Sequence, residues 1–190
     1  MKSVSVSVVL PLVTLFARGA DEPPKEGSKP NIVFIVADDM GYADSGVYGC
    51  KDVPTPNIDS LAAGGIRFTQ GYVTGAVCSP TRAALMTGRH QLRDGVPDWI
   101  PHGKKGMHPG VPTVADYLKK AGYSTALVGK WHLGEQEQCN PLNRGFDEFF
   151  IHGAGGIGQT YPGSGGDAPG NTYFDPAILH NGTFEKTSGY

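Results

Sequence analysis

The chain lacks several features that would fix its class at once. It has no excess of basic charge: 16 Lys and Arg stand against 18 Asp and Glu, for a net charge of -2. No stripe gathers the cations, which excludes a nucleic-acid binder. It has no long hydrophobic run either, since the apolar stretch from Val4 to Ala17 is too short for a comfortable membrane span. Cysteine is scarce. Cys50, Cys78 and Cys139 show no C-x-x-C spacing and no neighbouring histidine pair, which argues against structural zinc. Their odd count leaves at least one thiol over. A Cys50–Cys139 disulfide that frees Cys78 is one arrangement, and the sequence does not choose it. There is no internal repeat, and the one low-complexity tract is the glycine-rich stretch Gly153 to Asn171.

What is present suits a globular, exported protein. A 39% hydrophobic content over 190 residues is enough for a real core. Residues 1–20 carry Lys2, then an apolar stretch, then small residues at Gly19 and Ala20, the layout of a secretory signal peptide, with an N-terminal strand or a signal anchor as the alternative. Arg18 blurs the cleavage site. Residues 21–30, "DEPPKEGSKP", are polar and proline-rich and read as a disordered linker. The expected destination is secreted or periplasmic, with no membrane span.

From Asn31 onward the pattern is α/β. "NIVFIVADDMG" opens with a continuous apolar run, as a strand buried on both faces does in a parallel sheet, and places Asp38 and Asp39 at its C-terminal tip. Thr55-Pro56 starts a helix that Gly64-Gly65 ends, and a strand is expected over Ile66–Tyr72. A second helix starts near Pro80 and ends at Gly88. A third starts at a Thr113/Asp116 capping box and stops at Gly122. "YSTALVGKWHLG" reads as another buried strand ending in Lys130 and His132, and "GFDEFF" as a short one. Gly153 to Asn171 reads as a long loop bordering a site.

Three small constellations could carry chemistry. Adjacent carboxylates repel, so Asp38 and Asp39 suggest either a solvated strand end or a hard cation, Ca²⁺ or Mg²⁺, held by oxygen. Lys130 and His132, two apart in an extended segment, face one side. They suit an anionic substrate and proton transfer, or else form an edge lysine and a core histidine beside Trp131. Cys78 stands at a helix N-terminus, where unpaired N–H groups favour anions and lower a thiol pKa. Arg82 lies one turn on. A cysteine nucleophile or a small buried hydrophobe would each explain Cys78, but neither explains Pro80 and Arg82 together. His90, His152 and His180 lack motif context and read as surface or packing residues. Asn181-Gly182-Thr183 is a glycosylation sequon that matters only in a eukaryotic secretory pathway.

"CSPTRAALMTGR", "GYSTALVGKWHLG" and "KPNIVFIVADDMGYADSGVYG" together resemble the type I sulfatases, in the family's order and spacing across Lys29 to Gly134. Looser similarity continues through "NRGFDEFF" and "YFDPAILHNGTFEKTSGY". Thr81 stands where the family more often has serine and keeps the hydroxyl. The resemblance implies an alkaline-phosphatase-like α/β sandwich, its mostly parallel central sheet flanked by helices. It also implies that Cys78 is oxidised to formylglycine by a formylglycine-generating or sulfatase-maturating enzyme. In the family the aldehyde hydrates, one hydroxyl attacks sulfur, and the second lets the sulfated intermediate collapse.

Carried over by position, Asp38, Asp39 and the residue-78 oxygen would bind Ca²⁺, with Mg²⁺ the alternative. Arg82 would hold the formylglycine and the metal-site carboxylates, Lys130 would contact sulfate, and His132 would promote collapse. The substrate class implied is a sulfated carbohydrate or aryl sulfate. The family's further metal ligands, an Asp and an Asn, its histidine acid and its second lysine have no counterpart before Tyr190. Residues 31–190 are therefore expected to be the N-terminal part of a sulfatase catalytic domain, incomplete at its C-terminus and inactive or poorly folded alone. The competing expectations are a phosphoester or phosphonate hydrolase of the same superfamily, and a non-catalytic, carbohydrate-binding or truncated product whose Cys78 stays a thiol.

Overall fold

The computed structural model describes residues 27–159 and 165–188, together with a short strand at Thr14–Leu15. Apart from that strand, the leader expected over residues 1–20 and most of the linker expected over 21–30 lie outside the described residues. The chain divides into two compact units, residues 1–73 and 74–190. Among the described residues no helix is long and apolar enough to cross a membrane, and all three cysteines are thiols.

In the first unit, β1 (Thr14–Leu15) pairs antiparallel with β2 (Ile32–Val33). The buried strand expected over the apolar run is thus shortened to two residues, and Ile32, Val33, Phe34 and Ile35 are exposed. A parallel strand is buried only when neighbours pair with it and helices cover it. Among the described residues of this unit β1 is the only strand partner. Ile66–Tyr72 likewise forms no strand. Its backbone is tied down instead by Tyr48, whose hydroxyl donates to the Phe68 carbonyl at 2.8 Å, and by Arg67, which donates to the Val47 carbonyl at 2.8 Å. Helix α1 (Pro56–Gly64) begins with proline in its first turn, as expected. The Asp59 carboxylate accepts from the Val47 amide at 2.6 Å and from the Thr55 hydroxyl at 3.2 Å, pinning the helix start to the turns before it.

The second unit carries α2 (Cys78–Thr87), α3 (Val114–Lys120) and the strands β3 (Ala126–Lys130), β4 (Glu148–His152), β5 (Ala177–His180) and β6 (Thr183–Lys186). The strands form one sheet in the order β3-β4-β5-β6. The β3–β4 pair is parallel, and the remaining pairs are antiparallel. Helix α2 stops at Gly88, whose φ of 65° lets its amide close onto the Ala84 carbonyl at 2.8 Å. Helix α3 starts at the expected capping box: Thr113 Oγ1 accepts from the Asp116 amide, and the Asp116 carboxylate accepts from the Thr113 amide.

Both helices meet the sheet through one apolar core. Ala83 from α2 and Ala115 from α3 pack with Phe149 and Ile151 from β4 and with Trp131, Leu133 and Phe146. Phe149 is fully buried, and burying a side chain of that size contributes about 3 kcal/mol. β3 is an edge strand of this sheet, and Val128, on the face away from that core, is exposed where the sequence suggested a buried strand. The β5–β6 hairpin was not anticipated. Its turn is Asn181-Gly182, with φ of 45° and 97°, both positive as a two-residue type I′ turn requires.

Candidate active site

Helix α2 opens at Cys78 with no side chain capping its N-terminus. Pro80 in the first turn removes one donor, but the other leading amides have no intrahelical acceptor, so this end of the helix favours an anion. Local bonds set its angle. The Thr81 hydroxyl donates to the Gly75 carbonyl at 2.6 Å, the Gln91 amide to the Thr74 carbonyl at 2.8 Å, and the buried Ser79 hydroxyl accepts from the Ile100 amide at 3.0 Å.

The end of β3 reaches the same place. Lys130 closes the strand, and its ammonium donates to Cys78 Sγ at 3.0 Å. Arg82, one turn along α2, donates from Nη1 to the Lys130 carbonyl at 2.6 Å. The guanidinium thus straps the helix to the strand and adds a second positive charge. Gly129 just before has a φ of 105°, a twist that only glycine accepts readily.

Beyond Lys130 the chain leaves the extended conformation. His132 has a φ of 52° and is 7% exposed. Its amide donates to the Gly153 carbonyl at 3.1 Å, and its Nε2 lies 3.2 Å from the Ile100 carbonyl. Its Nδ1 is buried and, among the described residues, has no hydrogen-bond partner. Burial holds the imidazole below its usual pKa. The Ile100 carbonyl opposes this, and the Lys130, Arg82 and His102 charges reinforce it. A buried, unpartnered ring nitrogen among cations is an atom waiting for a polar group.

Cys78, Arg82, Lys130 and His132 are therefore brought together within the second unit. Asp38 and Asp39 belong to the first. They share one exposed turn after β2, with Asp39 at a φ of 66°. Two adjacent, exposed carboxylates fit a hard divalent cation in donor type, but fall short of the six to eight oxygens Ca²⁺ takes.

Three features of the site were not read from the sequence. The Ser79 hydroxyl and the Ile100 backbone clamp the motif from inside. Gly155 lies so close to His132 that a Cβ on it would stand 3.0 Å from the ring Cε1. His152 ends β4 in register with Lys130. Only His152 had a signal: the alternation of "EFFIH" puts it on the face of Phe150, opposite Phe149 and Ile151.

A profile of the Sulfatase family matches residues 30–183. The chain is 44% identical over 151 residues to the N-acetylgalactosamine-6-sulfatase of Rattus norvegicus, covering 75% of this chain and 28% of that protein. It is 42% identical over 151 residues to the steryl-sulfatase of Homo sapiens, covering 73% and 26% respectively. Among solved structures, Ps i-CgsB superimposes with a TM-score of 0.72 at 38% identity, over 82% of this chain and 37% of that one. The same protein bound to k-i-k-neocarrahexaose gives 0.70 at 33% identity, over 80% of this chain and 36% of that one. The likeness shows the α/β, alkaline-phosphatase-like fold. The chain spans only between a quarter and a third of the length of the curated relatives named here.

Proposed function

Because this chain belongs to the sulfatase family, we propose that it forms the N-terminal part of a sulfuric ester hydrolase whose working group is made from Cys78. The observation that carries this reading is the Lys130 ammonium 3.0 Å from Cys78 Sγ at an uncapped helix N-terminus. That is an anion site centred on one thiol. Once oxidised to formylglycine and hydrated, residue 78 supplies an oxygen nucleophile and a second hydroxyl through which sulfate can be shed, which a plain thiol cannot do.

The surrounding residues then have distinct tasks. Lys130 and the backbone amides at the start of α2 neutralise the sulfate charge as it develops. Arg82 keeps helix and strand in register so that the ammonium stays over residue 78. His132 offers its orphaned Nδ1 to a hydroxyl on residue 78, and its low pKa keeps the ring neutral and able to take a proton near pH 7. Asp38 and Asp39, with an oxygen on residue 78, would hold Ca²⁺ or Mg²⁺, which supplies Lewis-acid polarisation of the sulfate. The remaining ligands would come from sequence outside this chain.

The substrate proposed is a sulfated carbohydrate, with aryl sulfates as simpler analogues; the oligosaccharide bound to the similar Ps i-CgsB supports that choice. Maturation requires a formylglycine-generating partner, and the leader-like residues 1–20 point to export, secreted or periplasmic. The test compares the whole gene product on sulfate and phosphate esters with the same alcohol. Sulfate release that is lost with Asp39→Asn and with Cys78→Ser supports the reading. A strong preference for phosphate overturns it in favour of a phosphoester hydrolase.

A further inference from the structure

Resting on that reading, we propose that Gln159 is a specificity-determining residue: its carboxamide, presented beside His132 by a pinned glycine turn, hydrogen-bonds ring hydroxyls of the sugar that carries the sulfate. The resemblance to other sulfatases gives position 159 no role.

The placement is read from two glycines. A Cβ on Gly155 would stand 3.0 Å from His132 Cε1 and 3.2 Å from Gln159 Oε1, so the imidazole and the carboxamide meet over one bare stretch of backbone. A Cβ on the next residue, Gly156, would stand 2.9 Å from both Cδ and Nε2 of Gln159 and 3.0 Å from the Tyr173 hydroxyl. The carboxamide thus lies along Gly155-Gly156, sharing the first with the imidazole and the second with the tyrosine hydroxyl. A side chain on either glycine would push it away. His132 Cε1 adjoins Nδ1, the nitrogen offered to a hydroxyl on residue 78, so Gln159 stands beside the reacting centre.

The turn that presents it is held at several points. The Gln159 amide donates to the Gly156 carbonyl at 3.2 Å and closes a four-residue turn. Its third residue, Gly158, has a φ of 77°, at the position where a type II turn takes glycine. Ile157 anchors the turn in the interior. The buried Asp167 carboxylate accepts from the Gly158 amide at 2.6 Å and, through its other oxygen, from the Ala168 amide at 2.9 Å. The Gly153 amide donates to the Gly166 carbonyl at 2.6 Å. Gln159 itself is exposed. With its backbone fixed, ordering that side chain on a ligand costs only its own rotamers.

The chemistry of the group selects the ligand. A carboxamide offers one acceptor oxygen and two N–H donors. Adjacent ring hydroxyls each donate and accept, so one glutamine can pair with two of them. Being uncharged, it leaves the sulfate to Lys130 and the helix end. An aryl group has no hydroxyl to answer it, and a polar group left unpaired against a bound ligand weakens the complex.

The experiment uses the matured whole gene product, natural or carrying Gln159→Leu or Gly156→Ala, on 4-nitrophenyl sulfate and on the monosulfates of methyl galactoside and methyl glucoside. Leucine keeps the bulk and removes the hydrogen bonds. Alanine at 156 keeps Gln159 but displaces its carboxamide. The ratio of kcat/KM for the best sugar sulfate to that for the aryl sulfate is expected to fall about tenfold in each variant, the loss of one hydrogen bond. Replacing single hydroxyls of that sugar by hydrogen should cost the natural protein about tenfold at one position and the leucine variant little there. An unchanged ratio, a fall shared equally by both substrates, or a leucine variant as sensitive as the natural protein to every hydroxyl overturns the proposal. Release of sulfate from the aryl ester and from none of the sugars overturns it too, while the reading as a sulfuric ester hydrolase stands. No release from any sulfate ester overturns that reading and the proposal with it.

Discussion

Arg82 donates from its guanidinium to the backbone carbonyl of Lys130 at 2.6 Å, joining residues 48 apart in sequence. Through this bond the first turns of α2 and the end of β3 become one rigid platform under position 78. Lysine is as cationic but lacks the planar fork. Arg82→Lys in the whole gene product is therefore expected to lower kcat/KM about a hundredfold, the scale of losing one preorganised charge stabiliser, while the melting temperature moves only a few degrees. Steady-state kinetics with a melting curve checks this.

Gly155 tests the fixing of His132 from the other side. Its backbone φ is not in the left-handed region, so alanine is conformationally allowed, but the new Cβ would meet ring atoms at 3.0 and 3.3 Å. Gly155→Ala should displace the imidazole and lower kcat with little change in stability. An unchanged kcat would mean that the ring position is not critical.

Thr113 separates stability from activity. Its hydroxyl accepts the Asp116 amide and donates to the Arg144 carbonyl at 2.7 Å in a fully buried setting. Thr113→Val removes a helix cap and leaves buried polar groups unpaired, a loss of about 2 kcal/mol. Denaturant unfolding should show that loss while kcat/KM stays within about twofold, because the hydrogen bonds of Thr113 run to Asp116 and Arg144 and not to residue 78, Arg82, Lys130 or His132.

The β5–β6 hairpin should respond to pH. His180 is held by Glu185 at 2.8 Å and Glu148 at 3.1 Å, and these contacts, Glu185 foremost, raise its pKa above 6.5. A pKa raised on folding contributes stability that is fully present below the unfolded value and is lost as pH rises through the folded one. Hydrogen exchange, corrected for its intrinsic pH dependence, should show the hairpin amides better protected near about pH 6 than in alkaline solution. His180→Asn should flatten that difference.

Where structure is local, the sequence reading met it closely. Proline in the first turn of α1, Gly88 after α2 and the Thr113/Asp116 box each act within a few residues, and each appears where expected. Ile32–Val36 reads as a buried strand because it is apolar, but burial belongs to its neighbours, and the described residues of its unit supply a single short partner. Asn181-Gly182 was legible as a hairpin turn, since both residues tolerate positive φ, yet the Asn-Gly-Thr sequon drew the reading elsewhere. At the site, the motifs gave Cys78, Arg82, Lys130 and His132. The Ile100 backbone enters through a chain crossing that no local pattern encodes, and for His152 the local alternation gives the face while only strand register gives its partner Lys130.

The most direct measurement is the mass of the peptide spanning Gly75 to Arg82 in protein purified from its natural host. The account predicts an aldehyde at position 78, in protein whose sulfate release depends on a divalent cation. An intact thiol there, in protein that turns over sulfate esters without any such cation, would contradict it.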